Sequence, residues 1–379
     1  MDRALMLRRT RLAAFQSRVA MAPASAANPL KISGVRAWTV REPDSGSTYA
    51  VVRVDTTAGI SGWGETRSVD AEGLAHARSI LEGHSATEFE VLRRRLTPQP
   101  QLQAATNMAL LDIVGQAAKA PVYQVLGGPT RHKVRVLAPL TGQDDAALLE
   151  SLQKARTAGF RAFAAPAAPA TAANSGQPFA LANRKRLESL RAAAGDAGEF
   201  VIDCGASLTA GDAASLSAAL EHLHPLWLDE PCPLSNLAAI RKIASERVTP
   251  LGFGRSLYQG GAFQDLLRDD LIDVFRPDLA LNGISQIRRF AALAESNYIA
   301  VAPYHNGGPI ATAAALHLAA SMPNFFIQQI PFPASDSARR FRADLAGSIE
   351  NAVDGYAALP VGPGLGLKVN ASLLGKEVA

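Results

Sequence analysis

Asp203, Asp229 and Arg255 stand at equal intervals of 26 residues. Each follows a short apolar run, so the three side chains belong at matching heights on neighbouring strands. Two carboxylates and a third oxygen donor in that arrangement would hold Mg²⁺, a hard ion that takes oxygen ligands in octahedral geometry. Such an ion stabilises the enediolate left when a base removes a proton beside a substrate carboxylate. Here the third side chain is a permanent cation. At about 5 Å and an effective dielectric near 20, a divalent ion and a guanidinium repel by about 6–7 kcal/mol. Asp203 and Asp229 therefore read either as metal ligands or as ion-pair partners of Arg255, with the guanidinium in the cation's place. Arg255 has a further use that needs no metal, as a clamp on a substrate carboxylate.

Other reactive types follow at later intervals: Asp278, then Tyr304 and His305, then Gln329. His305 is a candidate general base with Asp278 as its orienter, or else a histidine hydrogen-bonded within its loop. Tyr304 is a weak acid with an ordinary pKa near 10, or a packing residue. The chain has two cysteines, Cys204 and Cys232, too few for a disulfide scaffold or a CxxC metal knuckle. They read as buried free thiols, or as a disulfide if the protein is exported. Trp63 and Phe253 read as core.

The elements that must position these residues are of two kinds. Residues 30–66 alternate apolar and polar side chains with turns at Gly59 and Gly62, which predicts a short antiparallel sheet. Helical periodicity then runs from about Ala71 to Lys119, giving an α+β unit over 29–134. From Val134 onward, apolar runs alternate with amphipathic helical stretches. The runs begin near Val134, Ala162, Phe200, Leu226, Pro250, Asp273, Ala300 and Phe325. Eight βα repeats without a glycine-rich phosphate fingerprint predict a (β/α) barrel over 135–349 rather than an open sheet. Functional side chains belong at the C-terminal ends of barrel strands, where Pro166, Asp203, Asp229, Arg255, Asp278, Tyr304–His305 and Gln329 fall. Residues 350–379 turn back as glycine-rich chain towards the first unit.

Of the 379 residues, 48% are hydrophobic and 19% charged, as in a folded globular chain. No apolar run approaches the roughly 18 residues of a membrane span. Part of the +4 net charge lies in the first twenty residues, and no aromatic-studded basic patch follows, which argues against nucleic acid. Residues 1–28 read as a leader: Arg8-Arg9, a short apolar stretch broken by Gln16-Ser17-Arg18, and Ala24-Ser25-Ala26 in the form of a cleavage site. The interruption favours a cytoplasmic protein over one exported by a degenerate twin-arginine signal.

Several stretches together resemble the mandelate racemase/muconate lactonising group of the enolase superfamily. They are Gly62-Trp63-Gly64-Glu65, Met108-Ala109-Leu110-Leu111-Asp112, Leu126-Gly127-Gly128, Trp227-Leu228-Asp229-Glu230-Pro231, Arg276-Pro277-Asp278 and Pro363-Gly364-Leu365-Gly366. Gly307-Gly308-Pro309-Ile310 and Met322-Pro323-Asn324-Phe325-Phe326-Ile327-Gln328 are similar to galactonate dehydratases. The resemblance implies a modified (β/α)8 barrel under an N-terminal α+β cap, bound Mg²⁺, a small carboxylate or acid-sugar ligand, and assembly into a homo-oligomer. The loops Arg41–Thr48 and Ser61–Val69 would set specificity.

Against the family pattern, the lysine pair of the second strand is replaced by Ala164-Ala165-Pro166. The first metal ligand matches Asp203, but Gly205 stands where a second donor belongs. The second ligand falls on Asp229, the third on Arg255, and the late glutamate on Gln329. Asp278 matches the dyad aspartate, its histidine partner aligns with Tyr304, and His305 lies one residue over. Three readings follow. One is a lyase or isomerase acting on a hydroxy-carboxylate, with His305 as base. Another is a non-catalytic, carboxylate-binding descendant. The last is a metal-free isomerase using Tyr304 and His305.

Overall fold

The computed structural model describes residues 30–170 and 172–379, so the leader expected over residues 1–28 lies outside them. Alternating side chains build the first sheet with one face buried. Strands β1 (Ile32–Arg41), β2 (Thr48–Thr56) and β3 (Ser61–Thr66) form an antiparallel meander. A last strand, Lys376–Glu377, joins the free edge of β1 and ties the tail to this unit.

Helices α1 (Ala71–Leu81), α2 (Phe89–Arg95), α3 (Pro100–Ala117) and α4 (Val122–Val125) complete the cap. The glycines of Gly62-Trp63-Gly64 let α3 lie directly on β3. A Cβ on Gly64 would stand 1.9 Å from the Ala105 carbonyl oxygen, and one on Gly62 would stand 2.0 Å from that of Ala109. Asp112 on α3 then joins two distant motifs. Its carboxylate accepts from the Trp63 N–H at 2.9 Å and from the Leu365 N–H at 2.8 Å.

Eight strands follow: β4 (Lys133–Pro139), β5 (Ala162–Pro166), β6 (Glu199–Asp203), β7 (Leu228–Asp229), β8 (Leu251–Phe253), β9 (Val274–Phe275), β10 (Ala300–Val301) and β11 (Gln328–Gln329). Between and after them run α5 (Asp145–Thr157), α6 (Gln177–Ala194), α7 (Ala210–Leu220), α8 (Leu237–Glu246), α9 (Gly261–Arg268), α10 (Leu279–Glu295), α11 (Pro309–Ala319) and α12 (Asp336–Ala346). Each strand from β4 to β10 pairs in parallel with the next, β11 pairs with β4, and a bridge between Val301 and Phe325 closes the ring. The last strand is regular only at Gln328–Gln329, a few residues later than its apolar run predicts. Beyond it, β12 (Ala352–Val353) and β13 (Tyr356–Ala358) form a hairpin laid antiparallel against β4.

Because side chains alternate along a strand, the barrel has two apolar layers. Leu137, Val201, Trp227, Val274 and Ile327 fill its interior. Phe163, Phe200, Phe253 and Phe275 face the helices, so Phe253 is core as the sequence implies.

Candidate functional site

The equal spacing of Asp203, Asp229 and Arg255 does bring them together. β6 and β7 pair with Asp203 opposite Asp229, and Arg255 follows β8. Its guanidinium bridges the two carboxylates: Nη1 donates to Asp203 Oδ2 at 3.0 Å and Nη2 donates to Asp229 Oδ2. The other oxygen of Asp229 accepts from Arg276 Nε at 3.0 Å and from the Trp227 indole at 2.9 Å. Asp229 and Arg276 are wholly buried. Burial alone would raise the Asp229 carboxyl, but Arg276 and Arg255 outweigh it and hold the group below its ordinary range. The same pairing raises Arg255 despite its burial. Arg276 also donates to Gln329 Oε1 at 2.9 Å and to the Ala302 carbonyl at 2.7 Å.

This geometry does not fit a divalent cation. Both oxygens of Asp229 face cationic nitrogens, and the third ligand position is itself a cation. Among the described residues no cluster of three or more His, Cys, Asp or Glu is arranged to hold a metal ion. Two other expectations are corrected by the same contacts. Arg255 is no open carboxylate clamp, since both terminal nitrogens are taken and its Nε is buried without a partner. Gln329 is not poised to bind substrate either, being buried and occupied by Arg276.

The expected dyad of Asp278 and His305 is not formed. Asp278 caps α10 by accepting from the Ala280 N–H at 2.8 Å, and its second oxygen accepts from Arg67 of the cap. Burial raises its carboxyl, only partly opposed by Arg67. Tyr304 bridges to Asp278 through the backbone and places its ring under the Arg255 guanidinium, 4.5 Å away. His305, the next residue, is directed elsewhere. It is fully buried, its Nε2 lies 3.5 Å from the Thr312 hydroxyl, and its Nδ1 has no partner. Burial and the nearby Arg342 push its pKa down to about 3, so the ring is neutral. Burial also raises the Tyr304 phenol, and Arg255 only partly opposes this. Cys204 and Cys232 are free and buried, and burial raises both thiols, Cys232 to about 11.

A cavity of about 390 Å³ opens between the cap and the seventh barrel loop, lined among others by Thr48, Arg67, Tyr304, Asn306 and Gly307. Glu65 and His305 line it too, and Glu65 belongs to a set of buried polar residues that the sequence reading missed. Glu65 accepts from the Gly308, Ile310 and Ala311 N–H groups at the start of α11, and burial raises it to about 7. Arg342 joins Glu42, Glu350 and the Gly307 carbonyl. Glu230, which has a positive φ, accepts from the Gly254 and Arg255 N–H groups at 2.6 and 2.8 Å. Burial, reinforced by Asp229, raises it to about 7. Of these, Glu65 and Glu230 stand in quoted motifs, and Arg276 follows the β9 run directly. Arg342 draws on Glu350, 8 residues on, and on Glu42 of the cap, 300 residues before it.

A closed eight-stranded barrel under an α+β cap, with its carboxylates at successive strand ends, defines the enolase class. Residues 147–373 match the enolase C-terminal domain-like family, and residues 19–127 match the mandelate racemase / muconate lactonizing enzyme N-terminal domain. The chain belongs to the enolase superfamily, in the mandelate racemase/muconate lactonizing group. It is 26% identical to the D-xylonate dehydratase of Haloferax volcanii over 86% of this chain and 84% of that one. It is 29% identical to the D-galactonate dehydratase of Verminephrobacter eiseniae over 71% and 75%. A mandelate racemase/muconate lactonizing enzyme-like protein from Rubrobacter xylanophilus has the same fold, with a TM-score of 0.81, 24% identity and coverage of 92% and 97%.

Proposed function

We propose that this chain is a metal-independent descendant of the acid-sugar dehydratases, which keeps their barrel and ligand cavity without metal-assisted proton abstraction. The observation that carries the reading is the Arg255 guanidinium bridging Asp203 and Asp229. A bound Mg²⁺ would supply Lewis-acid stabilisation of an enediolate. The guanidinium supplies charge to the two aspartates instead, and its donors are spent on them. The loss of the lysine pair at Ala164 and Pro166 removes the usual base from the opposite side. Tyr304 and His305 both line the cavity, but the rival assignment of the two as an acid–base pair is weakened because His305 is wholly buried beside Thr312 and its ring is a weak base.

Thermal unfolding with and without Mg²⁺ at matched ionic strength tests this. The natural protein should show no Mg²⁺-dependent rise in Tm. Arg255→Glu places a third carboxylate beside the two aspartates and should acquire one, corresponding to about 2.7 kcal/mol of stabilisation at a hundredfold excess over Kd. A Mg²⁺-dependent rise in the natural protein, or α-proton exchange from any aldonate in deuterated water, would sink the reading.

A further inference from the structure

A carboxylate entering the cavity needs a cation with donors to spare. Among the described residues, the guanidinium groups of Arg276, Arg342, Arg255 and Arg67 are the candidates at or beside the cavity. Arg276 is wholly buried and bonded to Asp229, Gln329 and the Ala302 carbonyl. Arg342 is buried among Glu42, Glu350 and the Gly307 carbonyl. Arg255 has both terminal nitrogens on aspartates. Arg67 differs on every count. It lines the cavity, its side chain is 55% exposed, and its one ion-pair contact is from Nη2 to Asp278. Among the described residues its Nε and Nη1 meet no acceptor, so the guanidinium keeps donors free for a planar, two-oxygen ligand.

Its anchor is rigid. Asp278 is 1% exposed, is fixed by the Ala280 N–H, and is held in register by the backbone bridge to Tyr304. An aspartate placed to orient a histidine instead orients an arginine from the cap. Around Arg67 the exposed wall is hydrogen-bonding, from Thr48, Tyr304 and Asn306, and the one carboxyl in the lining, Glu65, is buried and already accepts from the Gly308, Ile310 and Ala311 N–H groups. The cavity volume of about 390 Å³ suits a small molecule rather than a chain segment.

We propose that Arg67 is the anion-binding residue of this protein, oriented by Asp278, and that its ligand is a small hydroxylated carboxylate bound without metal. The inference rests on the reading that a guanidinium occupies the cation's place, since a bound metal would itself take the carboxylate.

Calorimetric titration of the full chain with a panel of four- to six-carbon aldonates and aldarates, galactonate among them, tests it. Galactitol, which replaces the carboxylate of galactonate by a neutral alcohol, serves as control. At least one acid should bind without Mg²⁺, and galactitol at least tenfold more weakly than galactonate. Arg67→Met should weaken the acid at least tenfold, whereas Arg67→Lys, which keeps charge but not the fork, should retain part of the affinity. A melting curve for each variant reports folding, and an exposed position should leave it nearly unchanged. Unaltered affinity in Arg67→Met, equal binding of galactitol, or no binding across the panel overturns the proposal. Binding that requires Mg²⁺ and survives Arg67→Met refutes the metal-independent reading as well. Mg²⁺-independent binding that survives Arg67→Met refutes this inference alone.

Discussion

On the β6–β9 side of the barrel mouth, charges are closed on one another; at the exposed rim of the cap one charge, Arg67, is left open. Asp229 meets two guanidinium groups and an indole, and Arg255 meets two carboxylates. The terminal nitrogens of Arg255 and both oxygens of Asp229 are spent on one another and on their neighbours, and the remaining Nε of Arg255 is buried. Across the mouth, Arg67 has one partner and faces solvent, next to exposed Asn306 and Thr48. Side chains that hold one another contribute to stability, and those with unused donors are available for recognition. On the function proposed above, the comparison teaches how an inherited site can be divided, with its floor turned to structure and its rim left with donors for a ligand.

The largest expected effect breaks the closed side. Asp229→Ala removes the partner of a fully buried Arg276 and of Arg255 together. An unpaired buried charge costs about 3–5 kcal/mol, so urea unfolding should show a loss of that order. A loss below about 1 kcal/mol would mean that the cluster is not the structural floor described.

Next comes pH. Burial, the leading cause at both, raises Glu65 and Glu230 to about 7 from an ordinary 4.5. The native state therefore holds these protons to higher pH than the unfolded chain does. Their contribution is fully present below about 4.5 and is lost as pH rises through 7. Asp229 runs the other way, its stability present above its ordinary 3.8 and lost only in acid. Between pH 5 and 8, stability should fall by about 2–3 kcal/mol per glutamate. Glu230→Gln keeps the single oxygen that accepts from both N–H groups, whereas Glu65→Gln keeps only one of the two oxygens in use, and each should remove one share of that slope. A flat profile in the natural protein would contradict the burial of both groups.

The parts legible in the sequence were those set by repetition. The βα period located the strands, and the 26-residue interval placed Asp203, Asp229 and Arg255 on one another. The error at His305 has an equally local cause. Successive residues on a strand point to opposite faces, so once Tyr304 turns towards Arg255, His305 must turn away towards Thr312. Arg67 was not legible, because its meaning depends on Asp278, 211 residues later. The Arg342 cluster was hidden for the same reason, since Glu42 lies 300 residues before it. Periodicity fixes contacts within the barrel, whereas contacts between cap and barrel depend on how the two units dock.

The smallest effect on stability separates the two duties of Asp278. As the N-cap of α10, it needs only an oxygen acceptor, and asparagine caps as well as aspartate does. As the anchor of Arg67, it needs a charge. Burial already opposes that charge, raising the carboxyl above its ordinary range. Asp278→Asn should therefore change unfolding free energy by less than about 1 kcal/mol, because an exposed arginine that loses its partner is still solvated. Asp278→Ala loses the cap as well and should cost about 1 kcal/mol more. If Asp278→Asn is as destabilising as Asp229→Ala, the Arg67 pair belongs with the closed side of the mouth. If stability holds while acid binding weakens, it belongs to the open side, where charge is kept for a ligand.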